Sequence, residues 1–511
     1  MIETLGDAVR SNAYRLPDEP ALIHEGRTIT FRQYHDRAQR LSAALHRAGL
    51  RRQDRVAVLS QNSAAYLEIF AAAELAGYVV ATVNFRLTGP EAGYILGDSA
   101  PMVLFFEAQY SDMVDTLRAG LTSVTQYVCI SDTPDWATEY EVFVATGAPD
   151  GAPVQARADD IMHLIYTSGT TGRPKGVMRT HRAEIGMAEF MTTDVGVLNE
   201  DRVQIMMPLF HVGARWLQLG AHLRGAPVIL HRDFDPEEVL RTITRERITV
   251  THMAPTLVQR VFEHPLAQHT ELSSLRTIYY SAAPMPVPLL RRCLAMFGPV
   301  FVQLYGMTEG YGTTLHKRQH LPEGTPQQVR RLGSVGQPPT GVSIRILNDA
   351  HEDQPPGQPG EVVIRTDTRM LGYWNNSVAT AAALRDGWYF TGDVGFLDSD
   401  GFLFLVDRKK DMIISGGENI YCREVEEAIA AMPGVADVAV IGVPDPEWGE
   451  AVRALVTKAP GATMTEEQVI QHCRTLIASY KKPRSVLFLD ELPRLTTGQI
   501  NKVLLRSLYR A

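Results

Sequence analysis

Cysteine is scarce in this sequence: Cys129, Cys293, Cys422 and Cys473 are the four among 511 residues. They are far apart, with no Cys-x-x-Cys and no metal-ligand spacing. That excludes a disulfide-stapled scaffold and predicts four reduced thiols in a cytoplasmic protein. Long apolar runs are also missing. The most apolar region, 66–85, is interrupted by Glu68 and Glu74, which excludes a membrane span. The opening Met1-Ile2-Glu3-Thr4-Leu5-Gly6-Asp7 lacks a basic stretch followed by an apolar one, so no signal peptide is expected. Positive charge is not in excess: the formal net charge is −8. No general pull toward nucleic acid or an anionic membrane follows, although a local basic patch stays open. No internal repeat or low-complexity tract occurs. What is present is the composition of a soluble globular protein, 45% hydrophobic and 21% charged, in a chain long enough for at least two domains.

One stretch stands out. The apolar residues Ile161, Met162, Leu164 and Ile165 read as a buried strand. They lead into Tyr166-Thr167-Ser168-Gly169-Thr170-Thr171-Gly172-Arg173-Pro174-Lys175-Gly176. Glycine lets backbone N–H groups turn toward a ligand, and successive inward N–H groups form an anion-binding nest. Thr167, Ser168, Thr170 and Thr171 add hydroxyl donors, while Arg173 and Lys175 add charge. A bare Gly-rich loop is more often a surface hairpin, but ten positions of this chemistry point to a polyphosphate. The loop is not a Walker A motif, because Lys175 is followed by Gly176 and a β-like run rather than by Ser or Thr and a helix.

Before and after this loop, strand and helix alternate. Residues 1–50 read as helix, hairpin, helix. Strands at 55–59, 78–83 and 102–106 enclose helices at 64–75 and 90–97. Beyond the loop come a strand-like stretch at 203–208, a strand at 227–230, a helix at 236–247, another unit opening at 250, and strands at 277–284 and 300–304. Alternation of this kind implies parallel sheet with crossover helices. From about Gly333 the texture becomes that of antiparallel strands with Gly/Pro turns. A charged break, Asp407-Arg408-Lys409-Lys410-Asp411, then precedes a compact α+β tail of domain size. The expected organisation is α/β: residues 1–406 as a large domain of stacked α/β sheets plus a β-rich module, a hinge at 407–411, and a small α+β domain at 412–511.

Four further clusters carry chemistry. In Tyr305-Gly306-Met307-Thr308-Glu309, a strand-end aromatic suits a purine, Thr308 a phosphate, and Glu309 a Mg²⁺ ion that takes oxygen ligands. A turn with a solvated glutamate is the plainer alternative. In Thr391-Gly392-Asp393, the carboxylate suits ribose hydroxyls, or belongs to a β-turn. The run from Arg408 to Asn419, with Ser415, Gly416 and Gly417, suits a hinge followed by close backbone approach to a slender ligand. It also fits a linker and a glycine turn. Pro493-Arg494-Leu495-Thr496-Thr497-Gly498-Gln499-Ile500 is a polar loop entering the last helix.

Taken together these stretches resemble the adenylate-forming superfamily: acyl-CoA synthetases, luciferases and the adenylation domains of peptide synthetases. The resemblance runs from about Leu5 to Arg506. It rests on 166–176, on Tyr389-Phe390-Thr391-Gly392-Asp393 with 407–411, on Gly333-Ser334-Val335-Gly336-Gln337-Pro338, and on Tyr480-Lys481-Lys482-Pro483. It implies a mobile C-terminal domain and two half-reactions, with ATP, Mg²⁺ and coenzyme A as cofactors. A carboxylate attacks the α-phosphate of MgATP to give acyl-AMP, and the thiol of coenzyme A then displaces AMP. By the same resemblance Thr167, Ser168, Gly169, Thr170, Thr171, Gly172 and Lys175 hold the β- and γ-phosphates. Ser281, Ala282 and Ala283 line the adenine and Tyr305 stacks on it. Thr308 meets the α-phosphate, Glu309 the Mg²⁺, and Asp393 and Arg408 the ribose. Lys410 takes the hinge position, and Ser415, Gly416 and Gly417 border the pantetheine tunnel.

One position departs from the pattern. The family's last motif reads Gly-Lys-Ile, with the lysine reaching the α-phosphate during adenylation; here Gln499 stands in its place. An amide donates a hydrogen bond without charge, and loss of such a transition-state contact lowers a rate by about 10²–10³. Three explanations compete: an engineered residue that traps an intermediate, a natural enzyme that is slow or uses another cation, or substitution by Lys502. The acid's pocket is expected around His211, Trp216, Tyr280, Gly306 and Met307, with His211 either a gate or structural. Arg215 meets a second carboxylate or, as the commoner case, lies on the surface. A medium-chain or aromatic acid is expected. Coenzyme A is the expected acceptor, since no carrier-protein domain follows residue 511. Nucleic acid and integral membrane are not expected partners, and a homodimer is allowed. A ligase that loads a carrier protein, or a non-catalytic binder of nucleotide or acyl-adenylate, are the alternatives.

Overall fold

The computed structural model describes residues 2–167, 173–409, 411–415, 418–446, 448–494 and 499–510. By contact density the chain divides into two compact units. One is Met1–Ser343 with Ile364–Tyr389, and the other is Ile344–Val363 with Phe390–Ala511.

The first unit is built on two sheets. Among the described residues one sheet orders its strands Gly372–Tyr373, Lys175–Thr180, Ile161–Thr167, Val79–Thr82, Arg55–Leu59, Val103–Phe106, Gln126–Cys129 and Thr138–Glu139. Its centre is parallel, as the strand–helix alternation predicts, and Lys175–Thr180 turns back antiparallel on Ile161–Thr167. The second sheet runs Gly310–Leu315, Phe301–Met307, Thr277–Tyr280, Val250–Met253, Val203–Ile205, Val228–Leu230, Pro20–His24 and Arg27–Thr30. A shared core lies against both sheets, with Val56, Val58 and Val80 from one and Val203, Ile205 and Tyr279 from the other. These are the stacked α/β sheets expected.

The helix Ala64–Ala76 shows why the most apolar stretch is not a membrane span. It starts where Ser63 accepts from the Tyr66 N–H and stops at Gly77, whose φ is +78°. Every residue from Ala65 to Ala76 is buried, so apolar side chains are required all round. Its two glutamates are answered from neighbouring helices. Arg37 Nε donates to Glu68 at 2.6 Å, the Tyr140 hydroxyl donates to Glu68 at 2.8 Å, and Arg215 pairs with Glu74. Arg215 is therefore not on the surface. Only 1% of its side chain is exposed, and its guanidinium lies 4.2 Å from the Phe70 ring centroid. An isolated glutamate in this core would lose several kcal/mol of hydration, roughly, and the arginine compensates for it.

The helices His181–Thr193, Val212–Arg224, Pro255–Glu263 and Val287–Phe297 were not signalled by the sequence. Val212–Arg224 is buried on most of its circumference, which erases the polar face that periodicity needs. The expected strand at 277–284 ends at Tyr280. Beyond it Ala282 adopts φ +72°, which no strand allows.

The second unit holds an antiparallel core, Val435–Asp445 against Gly449–Lys458, with Ile413–Ser415 and Ser485–Phe488 both on Gly449–Lys458. The helices Cys422–Ala430 and Glu466–Leu476 cover it with Val425, Ile429, Val469 and Cys473. The tail thus has the expected α+β character. The sheet before it pairs Trp388–Leu397 with Leu403–Arg408. All four cysteines are free and buried. Among the described residues no helix is long and apolar enough to cross a membrane.

Candidate active site

The hairpin that brackets the Gly/Thr-rich loop is closed by Thr167 opposite Lys175 and Tyr166 opposite Gly176. A Cβ at Gly176 would lie 3.0 Å from the Tyr166 ring, so a larger residue here would have to push that ring aside. The Tyr166 hydroxyl donates to Asp98 Oδ2 at 2.7 Å, which fixes the ring. Ser168, Gly169, Thr170, Thr171 and Gly172, the loop's own ligand candidates, lie outside the described residues, as do Lys410, Gly416 and Gly417.

From Lys175 a chain of contacts leads to Glu309. The ammonium lies 5.0 Å from the centroid of the Tyr373 ring. The Tyr373 hydroxyl donates to Glu309 Oε1 at 2.9 Å. Burial, and then the carboxylate, push the Tyr373 phenol well above its usual pKa, so it stays a donor. Tyr373 pairs with Val177 on the strand that carries Lys175, and the Met370 N–H donates to the Glu309 carbonyl at 2.7 Å. Glu309 is 8% exposed. Sequence reasoning missed Tyr373. Its signal was an aromatic pair, Tyr373-Trp374, directly after Gly372.

The proposed adenine wall stands at the ends of two parallel strands. Ser281 Oγ lies 2.9 Å from His252 Nε2, and Ala282 is exposed at positive φ, which turns its backbone outward. Tyr305 is 8% exposed, and a Cβ on Gly312 would come within 2.9 Å of its ring. Glycine at 312 leaves room for the ring.

Around the expected acid pocket the placements divide. His211 precedes the helix Val212–Arg224, and its Nε2 is enclosed without a partner among the described residues. Burial, and then Arg86, lower its pKa to about 4, so the imidazole is neutral near pH 7. Trp216 faces inward at 4% exposure. Gly306 packs on Tyr311, and Met307 packs with Val177 and Tyr373. Tyr280 goes elsewhere. Side chains alternate along a strand, and its hydroxyl bonds Gln303 at 3.2 Å and His320 at 3.0 Å in the core on the opposite face. The neighbour Tyr279 takes the other face, stacked on His252 at 4.0 Å and 10°. Burial lowers the His252 pKa to about 3. A histidine inside the apolar strand Val250–Met253 was the overlooked clue.

In the second unit Asp393 and Arg408 are cross-strand partners, and Arg408 Nε lies 2.7 Å from Asp393 Oδ1. Lys409 Nζ reaches Glu361 at 3.0 Å and Asp349 at 3.3 Å, and Arg506 pairs with Asp411. Ser415 ends the strand Ile413–Ser415 opposite Gly449. Gln499 is exposed, beside the bridge from Arg494 to Ile500. Lys502 does not stand in for a lysine at 499, because its Nζ is held 2.7 Å from Glu426. Burial alone would lower its pKa, but Glu426, Cys422 and Asp407 raise it above the ordinary lysine value. Among the described residues no group of three or more His, Cys, Asp or Glu is placed to hold a metal.

Residues 9–374 match the AMP-binding enzyme family and residues 424–499 the AMP-binding enzyme C-terminal domain. The chain is 40% identical over 489 residues to a feruloyl-CoA synthase of an Amycolatopsis species, covering 95% of each. It is 34% identical over 520 residues to the long-chain-fatty-acid–CoA ligase FadD13 of Mycobacterium tuberculosis, covering 100% of this chain and 99% of that one. Its fold superposes on the crystal structure of ATP-bound MatB from Rhodopseudomonas palustris with a TM-score of 0.89, at 29% identity and 99% coverage of both. The loop hairpin, the carboxylate at its side and the match over both parts of the chain agree, and the chain belongs to the adenylate-forming AMP-binding enzymes of the acyl-CoA synthetase type.

Proposed function

We infer that this enzyme activates a carboxylic acid with ATP, through acyl-AMP, and transfers the acyl group to coenzyme A. The observation that carries the reading is the line from Lys175 through Tyr373 to Glu309. It sets a cation, an oriented phenol and a buried carboxylate beside one loop hairpin. Lys175 and Thr167 meet the phosphates, and Thr308 the α-phosphate. Glu309 is the carboxylate that would hold a Mg²⁺ ion brought in with the nucleotide, a cation that takes few protein ligands, and the ion would neutralise phosphate charge. Ser281, Ala282, Ala283 and Tyr305 take the adenine, and Asp393 and Arg408 the ribose.

In the first step a carboxylate oxygen attacks the α-phosphorus, the bond to the β-phosphate breaks, and pyrophosphate leaves. Negative charge crowds at phosphorus, so aimed donors and cations supply most of the rate gain. In the second step the thiol sulfur attacks the acyl carbon and AMP leaves with its electron pair. Gln499 offers the first step a neutral donor where the family has a charge, which makes adenylation the slow half. The acid is an aromatic or medium-chain one. Trp216 is buried in the helix that follows His211, the His211 and His252 imidazoles are neutral near pH 7, and a relative with 40% identity is a feruloyl-CoA synthase.

Pyrophosphate release measured across an acid panel, with and without coenzyme A, tests this. Acyl-CoA formed only with coenzyme A, best with an aromatic or medium-chain acid, is the expected result. Pyrophosphate release without any thioester would move the reading to a ligase that loads a carrier protein. ATP binding without turnover, persisting after Gln499→Lys, would make the chain a binder.

A further inference from the structure

Four residues past Lys175 on the same strand lies Arg179, with none of its side chain exposed. Its Nε donates to Glu184 Oε1 at 2.6 Å, and Glu184 is equally buried. Its Nη1 donates to the Thr368 carbonyl at 2.7 Å and, at 3.4 Å, to the Thr308 carbonyl. The guanidinium lies 5.5 Å from the centroid of the Trp216 ring. An ion pair this deep is a poor way to fill a core, since apolar residues of similar volume do so without desolvating two charges. Nor is the pair fully satisfied. Arg179 Nη2 and Glu184 Oε2 are enclosed with no partner among the described residues. What the arginine does accomplish is to hold two carbonyls, and both belong to the segments that frame Glu309. Thr308 precedes that carboxylate in sequence. Thr368 stands two residues before Met370, whose N–H donates to the Glu309 carbonyl at 2.7 Å, and Tyr373 follows on the strand paired with Val177.

We propose that Arg179 is a positioning residue for the adenylation step, fixing the Thr308–Glu309 turn against the strand that carries Lys175 by gripping the Thr308 and Thr368 carbonyls. Two polar groups on separate strands act on one triphosphate only if their spacing is set. A side chain buried between the segments sets it without touching the nucleotide. Glu184, by accepting from Nε, aims the guanidinium. The proposal rests on the roles given above to Thr308 and Glu309.

The test compares the parent with Arg179→Lys and with the double variant Arg179→Leu, Glu184→Leu, which removes both charges together. Acid-dependent pyrophosphate release is the rate readout. ATP titration by calorimetry, with and without Mg²⁺, is the second. A displaced catalytic group lowers the chemical rate by about 10²-fold without a matching loss of binding. The double variant is therefore expected to fold, to lose about 10²-fold in kcat, and to lose most of the Mg²⁺-dependent gain in ATP affinity, with KM for ATP rising by no more than that gain. Lysine is a single point charge that cannot span two carbonyls and the carboxylate, so Arg179→Lys is expected to show the same split in milder form. It decides the matter if the double variant does not fold. Parental kcat and parental Mg²⁺ dependence in folded variants would overturn the proposal and leave the functional reading intact. No acid-dependent release from the parent would overturn that reading and this inference with it.

Discussion

Lys175 and Arg408 both stand on antiparallel strand pairs and both are assigned to the nucleotide, yet they are held in opposite ways. Lys175 rests over the face of Tyr373, while Arg408 is bound to the Asp393 carboxylate. An aromatic face attracts a cation without neutralising it, so the charge remains available to an anion. A carboxylate neutralises its cation, and what remains is orientation: Arg408 holds Asp393 in place, and Asp393 accepts. The two carboxylates are alike in burial, Glu309 at 8% and Asp393 at 6% exposure, so the difference lies in the cations: Lys175 is half-buried and the Arg408 side chain is 47% exposed. Among the described residues the first unit thus offers a cation on an aromatic face, and the second offers a preset acceptor.

The largest expected effect comes from giving the second unit what it lacks. Gln499→Lys is expected to raise acyl-AMP formation by about 10²–10³ and to leave thioester formation from preformed acyl-AMP nearly unchanged. Unchanged adenylation would mean that no free cation is missing there. Next, Asp393→Asn leaves Arg408 charged, removes the carboxylate's charge and turns one of its two acceptor oxygens into a donor. Charge-assisted hydrogen bonds contribute about 1.5–3 kcal/mol, so KM for ATP is expected to rise by tenfold or more. A fall in melting temperature with KM unchanged would make the pair structural and break the contrast.

The two units should also part company in acid. Burial holds His181, His211, His222, His231 and His320 at about 4 and His252 at about 3, against an ordinary value of 6.5, and all six lie in the first unit. Between those limits the unfolded chain binds more protons than the folded one, so stability is complete above about 6.5 and declines as pH falls toward 4. Each such group accounts for up to about 1.4 kcal/mol per pH unit in that window. Hydrogen exchange at pH 5 and pH 7 is expected to show loss of protection in the first unit before the second. Equal loss in both would refute the difference. The smallest effect is reserved for Tyr373→Phe, which keeps the ring beneath Lys175 and removes the hydroxyl from Glu309. A net hydrogen bond is worth about 1 kcal/mol, so a few-fold loss in adenylation is expected. A much larger loss would show that the ring's contact with Lys175 depends on the hydroxyl.

Much of this architecture was legible from residue order alone. Alternating β and α patterns predicted the parallel sheets, and even the wholly buried helix Ala64–Ala76 was legible, because its apolar run is long and Ser63 and Gly77 mark its ends. Val212–Arg224, nearly as enclosed, was not, because Arg215, Gln218 and His222 interrupt its apolar run and no side chain caps its start. The chemistry followed a similar rule. Thr308, Glu309, Asp393 and Arg408 sit in local clusters of unusual composition, and the structure places Lys175 and Glu309 in contact with one ring, Tyr373. Tyr373, His252 and Arg179 act across the chain, Arg179 on carbonyls 129 and 189 residues away, and no local pattern reports such a partner. Tyr280 and Tyr279 teach the same lesson at shorter range. One residue decides which face of a sheet a ring serves, and the strand's apolar run is silent on the choice.

Ala282 carries a last consequence. An alanine held at φ +72° stores about 1–2 kcal/mol that glycine would release. Glycine, however, widens the unfolded ensemble by about 0.4–1 kcal/mol. The strain is the larger of the two, so glycine at this position is expected to be slightly more stable than alanine. What the methyl group contributes instead is a stiff rim: a turn with fewer ways to bend, against which a flat base can lie without first having to order it.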